Sequence, residues 1–353
     1  MTNPITHNEP IDGTNSTIAS EAIDVAEKNL RDILTIAIEH TLQRAMLVFD
    51  SRSDLAIVLT MAYRRCLPNA IFINFDAVSP EDVLAAFALL APNDLVILIQ
   101  STNFRLEAFR IRVELFKRSL KVIEHPHLSR MSGPEARYYI ESLAYDPSYY
   151  LTVGHALKAR IDRAHGGVVE SGGERLVFGG PFESAKLNIG DYSGMHNIGG
   201  QFPIGEVFTE AQDLETVHGR VRIFVFGDTS FHVNQPAQPI TLVVTRGRVT
   251  EAIDSTSEFD QVLANIRADE GEVWLRELGF GMNRAFSRER LVSDIGTYER
   301  MCGIHLSLGA KHGIYAKPNI RRANARHHVD VFAVTEAVYL DDDLVYRNGA
   351  WQV

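Results

Sequence analysis

Cysteine is nearly missing from this chain: Cys66 and Cys302 are the only two in 353 residues. They cannot build a disulfide framework, and with no CxxC pair there is no zinc ribbon. Basic residues are in deficit, with 35 Lys and Arg against 45 Asp and Glu and a formal charge of −10. A nucleic-acid binder needs clustered cations to displace counterions, so nucleic acid is not an expected partner. No apolar run approaches the roughly 20 residues needed to span a bilayer. The opening MTNPITHNEPIDGTNSTIAS lacks a basic segment followed by an apolar one, so neither a signal peptide nor a membrane partner is expected. The first strand-to-helix turn, FDSRSD, has no glycine to let a backbone approach a pyrophosphate, which argues against a dinucleotide site.

A hydrophobic share of 45% and a charged share of 23% are those of a globular protein. Residues 1–20 read as a flexible arm. Glu21–Arg44 carries helical spacing, with Ile23, Leu30, Ile33, Leu34 and Leu42 recurring every three or four residues. Short apolar runs then alternate with helical stretches. Strands are expected at Ala45–Phe49, Ala70–Asn74, Asp94–Gln100 and Leu120–Glu124. Helices are expected at Ser53–Arg64, Pro80–Leu90 with Ser79 as cap, and Leu106–Arg118. Continuous apolar strands between helices predict a mostly parallel sheet covered on both faces. Pro134–Ala164 reads as one long helix or two, closing an α/β domain over 21–166.

Beyond Gly167 the texture changes to alternating, β-branched runs punctuated by Gly and Asp, such as GRVRIFVFGD and ITLVVTRGRVTEAI. Helical pattern returns around Glu258–Asp269 and Arg288–Asp294. The expected fold is therefore an α/β protein: an open, mostly parallel α/β domain followed by a β-rich α+β domain over 167–353, the candidate metal-binding and catalytic part.

Chemistry concentrates in that second half. In His328-Val329-Asp330, period-two alternation puts imidazole and carboxylate on one strand face, where both can reach one ion. Asp330 can equally pair with Arg326. His305, in GIHLSLG, is either a ligand or a satisfied core histidine. Glu277, in WLRELGFGMN, and Glu206, in FPIGEVFTE, are acids among apolar neighbours. An unpaired buried carboxylate is very costly, so each needs a partner, whether cation or metal.

The ordered motifs GEVFT (Gly205–Thr209), ELGFGMN (Glu277–Asn283), GIHLSLG (Gly303–Gly309) and HVDV (His328–Val331) resemble those of the aminopeptidase T and aminopeptidase S family of two-metal exopeptidases. The resemblance covers about Gly167 to Val334; the first half agrees only in its α/β texture. It implies metal-binding positions at Glu206, Glu277, His305, His328 and Asp330, two divalent ions (Zn, Co or Mn) and a peptide or small amide substrate. A homodimer is implied as well, while the scarcity of cysteine and the polar opening segment lead to the expectation of a cytoplasmic protein. Where the family has a tyrosine seven residues past its HiAlG histidine, this chain has His312, and Tyr315 is the nearest phenol. One of these two would supply the donor that the tyrosine supplies to the tetrahedral intermediate. The Trp of the family's HWD is Val329 here, and Arg321, Arg322 and Arg326 crowd a shortened loop, a solvated turn or a site for a substrate carboxylate. The same fold includes 2,5-dihydroxypyridine dioxygenase, which resemblance would make an Fe²⁺ enzyme with two histidines and one carboxylate. A third expectation is a peptide-binding accessory protein with little turnover. Glu206 and Glu277 favour hydrolysis.

Overall fold

A computed structural model describes residues 16–104, 106, 111–228 and 232–353. The chain divides into two compact units. One runs to Pro147 and takes back Gly190–Ile204; the other comprises Ser148–Ile189 and Gly205–Val353.

The first unit is built on a five-stranded sheet. Ala45–Phe49, Ile71–Asn74, Leu95–Ile99 and Lys121–His125 form where apolar runs alternate with helices, and all pair in parallel. Met46, Val48, Val96, Leu98 and Val122 face one way and pack with Val83, Phe87 and Leu115 of the covering helices. Leu47, Ile97 and Ile123 are equally buried, as expected of a parallel sheet covered on both faces. Ser53 and Ser79 cap the helices Asp54–Cys66 and Pro80–Phe87, the second through a reciprocal pair with Asp82. In the glycine-free turn after the first strand, Asp50 accepts hydrogen bonds from the Arg52 and Ser101 amides at 3.1 and 2.8 Å.

The second unit is a 14-stranded antiparallel sheet carrying the helices Pro147–Arg163 and Ser257–Glu270. The expected fold class is the one observed. No helix among the described residues is long and apolar enough to cross a membrane.

Three local expectations need correction, and a fourth is described only in part. Helix already begins at Ser16, inside the stretch read as an arm; residues 1–15 lie outside the described residues. That first helix closes through a π turn at Ile33–Ala37 rather than reaching Arg44, because Glu39 takes a left-handed backbone and Leu42 has no core to join. The helix expected at Leu106–Arg118 is described as Ile111–Lys117, its residues 107–110 being outside the described set. Arg288–Asp294 is not helical. Leu291 and Val292 are its only apolar pair and give no helical repeat, and Asp294 instead caps a single turn, Ile295–Tyr298, by accepting from Thr297 N–H.

The division between units also differs from the expected boundary at Gly167. Pro147 opens a separate helix, Pro147–Arg163, that lies almost wholly in the second unit. Gly199–Gln201 returns as a fifth parallel strand beside Lys121–His125.

Candidate metal centre

Five adjacent antiparallel strands of the second unit run in the order Val217–Gly227, Val329–Ala333, Gly303–Leu308, Leu275–Gly281 and Glu206–Glu210. Four of them bring the candidate residues together: Glu206 opens one, Glu277 and His305 lie within two others, and Asp330 lies in the fourth just after His328. Glu206, Glu277, His305 and Asp330 are 4%, 7%, 1% and 7% exposed, so these polar groups are held inside the protein.

A β-bulge aims Glu277. Between Leu275 and Leu278 the pairing with the Gly303–Leu308 strand slips by one residue, and the freed Glu277 N–H donates to Ser307 Oγ at 3.0 Å. Such bulges turn a side chain out of strict alternation. Arg276 takes the other direction. It pairs bidentately with buried Glu210 at 2.9 and 2.8 Å and donates to the carbonyls of Ala310 and Tyr315.

Glu277 Oε1 lies 3.3 Å from His305 Nε2, and Glu206 Oε1 lies 3.1 Å from the same nitrogen. Three donor atoms thus converge on one point. Burial alone would lower the His305 pKa, yet the two carboxylates hold it well above its ordinary value. Burial likewise pushes Glu277 up, but hydrogen bonds from His305 and His312 pull it well below the usual carboxylate range. Among the described residues His305 Nδ1 finds no partner. Its ring is therefore oriented by the carboxylates and by packing over Gly279 and against Phe332, not by a second hydrogen bond.

Glu299 is the member that sequence reasoning missed. Its carboxylate and the donor atoms of Glu206 and His305 lie within 4.8 Å of one another, a group able to hold a metal ion. Burial pushes Glu299 up to about 8; the charge of Arg300 pulls it down, and the charges of Glu206 and Asp330 add to the rise. Buried Arg300 joins two of the acids, donating to Glu206 Oε2 at 2.7 Å and to Glu299 Oε1. In the sequence Glu299 stands beside Arg300 in a turn, with no strand or helix spacing to mark it.

His328 and Asp330 face each other, Nε2 to Oδ1, at 3.1 Å. His328 Nδ1–H donates to the Lys311 carbonyl at 3.1 Å, so in the neutral ring Nε2 presents a lone pair. Asp330 Oδ1 is buried and accepts no hydrogen bond of sound geometry. Two lone pairs aimed at one another repel unless a cation or proton lies between them. Burial alone would lower the His328 pKa, but Asp330 and Glu277 raise it to about 10. An orphaned buried carboxylate oxygen facing an imidazole, beside the converging donor atoms of Glu206, Glu299 and His305, fits a divalent cation.

His312 has the opposite tautomer. Its Nδ1 accepts from the amides of Ile314 and Tyr315 at 3.2 and 3.4 Å, so Nε2 carries the hydrogen and donates to Glu277 Oε2 at 2.8 Å. His312 stands here as an N–H donor rather than a lone pair. The Tyr315 ring lies 5.0 Å from the His312 ring, but its hydroxyl donates to the Ser184 carbonyl at 2.7 Å. Of the two residues expected in place of the family's tyrosine, His312 is the one hydrogen-bonded to the carboxylates.

The chain is therefore a two-unit α/β protein whose antiparallel sheet gathers acids and an imidazole able to hold a metal ion. No protein-family model and no curated protein matches it. Among solved structures, wild-type AmpT from Thermus thermophilus is similar, with a TM-score of 0.55 at 15% identity, over 94% of this chain and 99% of that one. At that identity the likeness is one of fold alone.

Proposed function

We propose that the chain is a metal-dependent aminopeptidase or closely related amidohydrolase acting on a peptide or small amide. Glu206, Glu277, His305, His328 and Asp330 would hold two divalent ions, with Glu299 as a further carboxylate on the Glu206–His305 side. One observation carries the reading. Four buried polar side chains, Glu206, Glu277, His305 and Asp330, come from four neighbouring strands, with both glutamates turned to His305 and Asp330 turned to the half-buried His328. The AmpT-like fold supports it.

Bound divalent ions supply a water activated near neutral pH and a Lewis acid for the scissile carbonyl. The protein's own groups do the rest. Arg300 holds Glu206 by its outer oxygen and offsets part of the acids' charge. Lys311's carbonyl fixes the His328 tautomer that leaves Nε2 free to ligate. His312 Nε2–H, which here donates to Glu277 Oε2, would turn to the carbonyl oxygen as that oxygen gains negative charge, once Glu277 is engaged as a ligand. The wealth of carboxylates speaks against the dioxygenase alternative, whose iron site takes two histidines and one carboxylate.

The test is metal content of protein purified without chelator, together with release of free amino acid from peptides with free or acetylated N-termini. Two ions per chain and cleavage restricted to free N-termini are expected. Peptide binding with neither metal nor cleavage would reassign the chain to the accessory class, and bound iron with oxygen uptake on a hydroxypyridine to the dioxygenases.

A further inference from the structure

The segment between the strands Gly303–Leu308 and Val329–Ala333 carries His312 and delivers His328 at its end. Both of its ends meet a single carboxylate. Glu270, the last residue of the helix Ser257–Glu270, accepts the Ala310 N–H through Oε2 at 2.7 Å. Its Oε1 accepts the N–H groups of Arg326 and His327 at 2.6 and 2.7 Å. The preceding Asp269 pairs with His327 Nε2 at 2.6 Å. A carboxylate in the last turn of a helix faces the negative end of the helix dipole, so the helix gives no reason for acids there. The amides of the loop do.

We propose that Glu270 is a positioning residue of the metal centre, acting through the base of this loop. It touches none of the candidate ligands. It fixes the residue before Lys311 and the two residues before His328, and so sets how the Lys311 carbonyl meets the His328 ring. Lys311 N–H donates to the His327 carbonyl at 2.9 Å, and His328 Nδ1–H donates to the Lys311 carbonyl at 3.1 Å. Arg276 secures the same residue from its other side, donating to the Ala310 carbonyl at 2.6 Å. Gly309, with φ +105°, lets the strands close this tightly, because a side chain there would overlap the His327 carbonyl. With Glu270 removed, the Lys311 carbonyl leaves Nδ1, the His328 ring is free to turn, and Nε2 no longer faces Asp330 by default. His312 shifts with the same segment.

This inference rests on the metal-centre reading, and the experiment separates the two. Cobalt(II) is titrated into the full-length chain and into Glu270→Ala and Glu270→Gln, with visible absorption, chelator competition and amide hydrogen exchange as readouts. Gln keeps the shape but cannot accept from all three amides. Both variants should bind Co²⁺ about 10- to 100-fold more weakly, with a shifted absorption band and faster exchange over 310–328. Their circular dichroism should match that of the unaltered protein; if the Ala variant does not fold, the Gln variant decides. Unaltered protein that takes up no Co²⁺ refutes the metal centre itself. Unaltered protein that binds Co²⁺, with variants matching its affinity and spectrum, overturns the role of Glu270 alone.

Discussion

The imidazole of His305 lies across Gly279 on the neighbouring strand, in the space a side chain there would occupy. The pairing places these two residues opposite each other, so the absence of a Cβ at 279 lets the ring lie flat and bring Nε2 to Glu206 and Glu277. Gly279→Ala should therefore evict the ring or bend the strand. Overpacking of this kind costs about 1–3 kcal/mol, to be read as a lower urea midpoint. Metal content by elemental analysis should fall with it. A variant that keeps both unchanged would show that His305 has another place to sit.

Glu277 is the acid that reaches both histidines, with one oxygen towards His305 and the other towards His312. Glu277→Ala should lower metal content by at least one ion per chain. Unchanged stoichiometry would remove Glu277 from the ligands. Glu277→Gln is the sharper variant, because it keeps the volume and removes only the charge. It should retain the fold, with the circular dichroism of the parent, while binding metal more weakly.

His312 tests the division between holding metal and assisting reaction. Its Nδ1 is taken by two amides and its Nε2–H is a donor. His312→Phe should leave metal content nearly unchanged. Loss of one donor to a developing oxyanion costs about 10²- to 10³-fold in kcat. A fall in metal content as large as that of Glu277→Ala would make His312 a ligand instead, and an unchanged kcat would leave it a structural role.

Much of this was legible in the sequence, for identifiable reasons. The first sheet announced itself because its strands are buried on both faces and so are uninterrupted runs of Ile, Leu and Val. Glu206, Glu277, His305 and the His328–Asp330 pair stood out because acids and imidazoles in apolar, glycine-punctuated strands demand partners. Glu299 was hidden because it sits in a turn, where spacing carries no facing rule; only the fold carries it towards Glu206 and His305. Gly199–Gln201 was illegible as a strand, since two glycines and a glutamine have no apolar pattern and the pairing rests on backbone alone. The bulge at Glu277 and the clamp at Glu270 were equally invisible, one being an offset between strands and the other an encounter across 40 and 57 residues.

The first unit carries its own pH response, set by a hydrogen-bonded chain through His125. Tyr139 O–H donates to the Phe202 carbonyl at 3.1 Å, so its oxygen accepts from His125 Nδ1–H at 2.8 Å. His125 Nε2 is then the acceptor for Tyr63 O–H at 2.8 Å. The ring is neutral, fully buried and bonded at both nitrogens, and burial depresses its pKa to about 3. An unfolded chain takes up the proton near pH 6.5 while the folded one does not. Stability from this residue is therefore fully present above pH 6.5 and falls as the pH drops from there towards 3. The slope is about 1.4 kcal/mol per pH unit, or roughly 3 kcal/mol between pH 6.5 and 4.5. Urea unfolding followed by circular dichroism should show this loss. Tryptophan fluorescence reports the other unit, where Trp274 and Trp351 both lie. His125→Leu should be less stable at pH 7, because both phenols lose a partner, yet flatter with acid. Parallel pH slopes for the two proteins would show that the response comes from other groups.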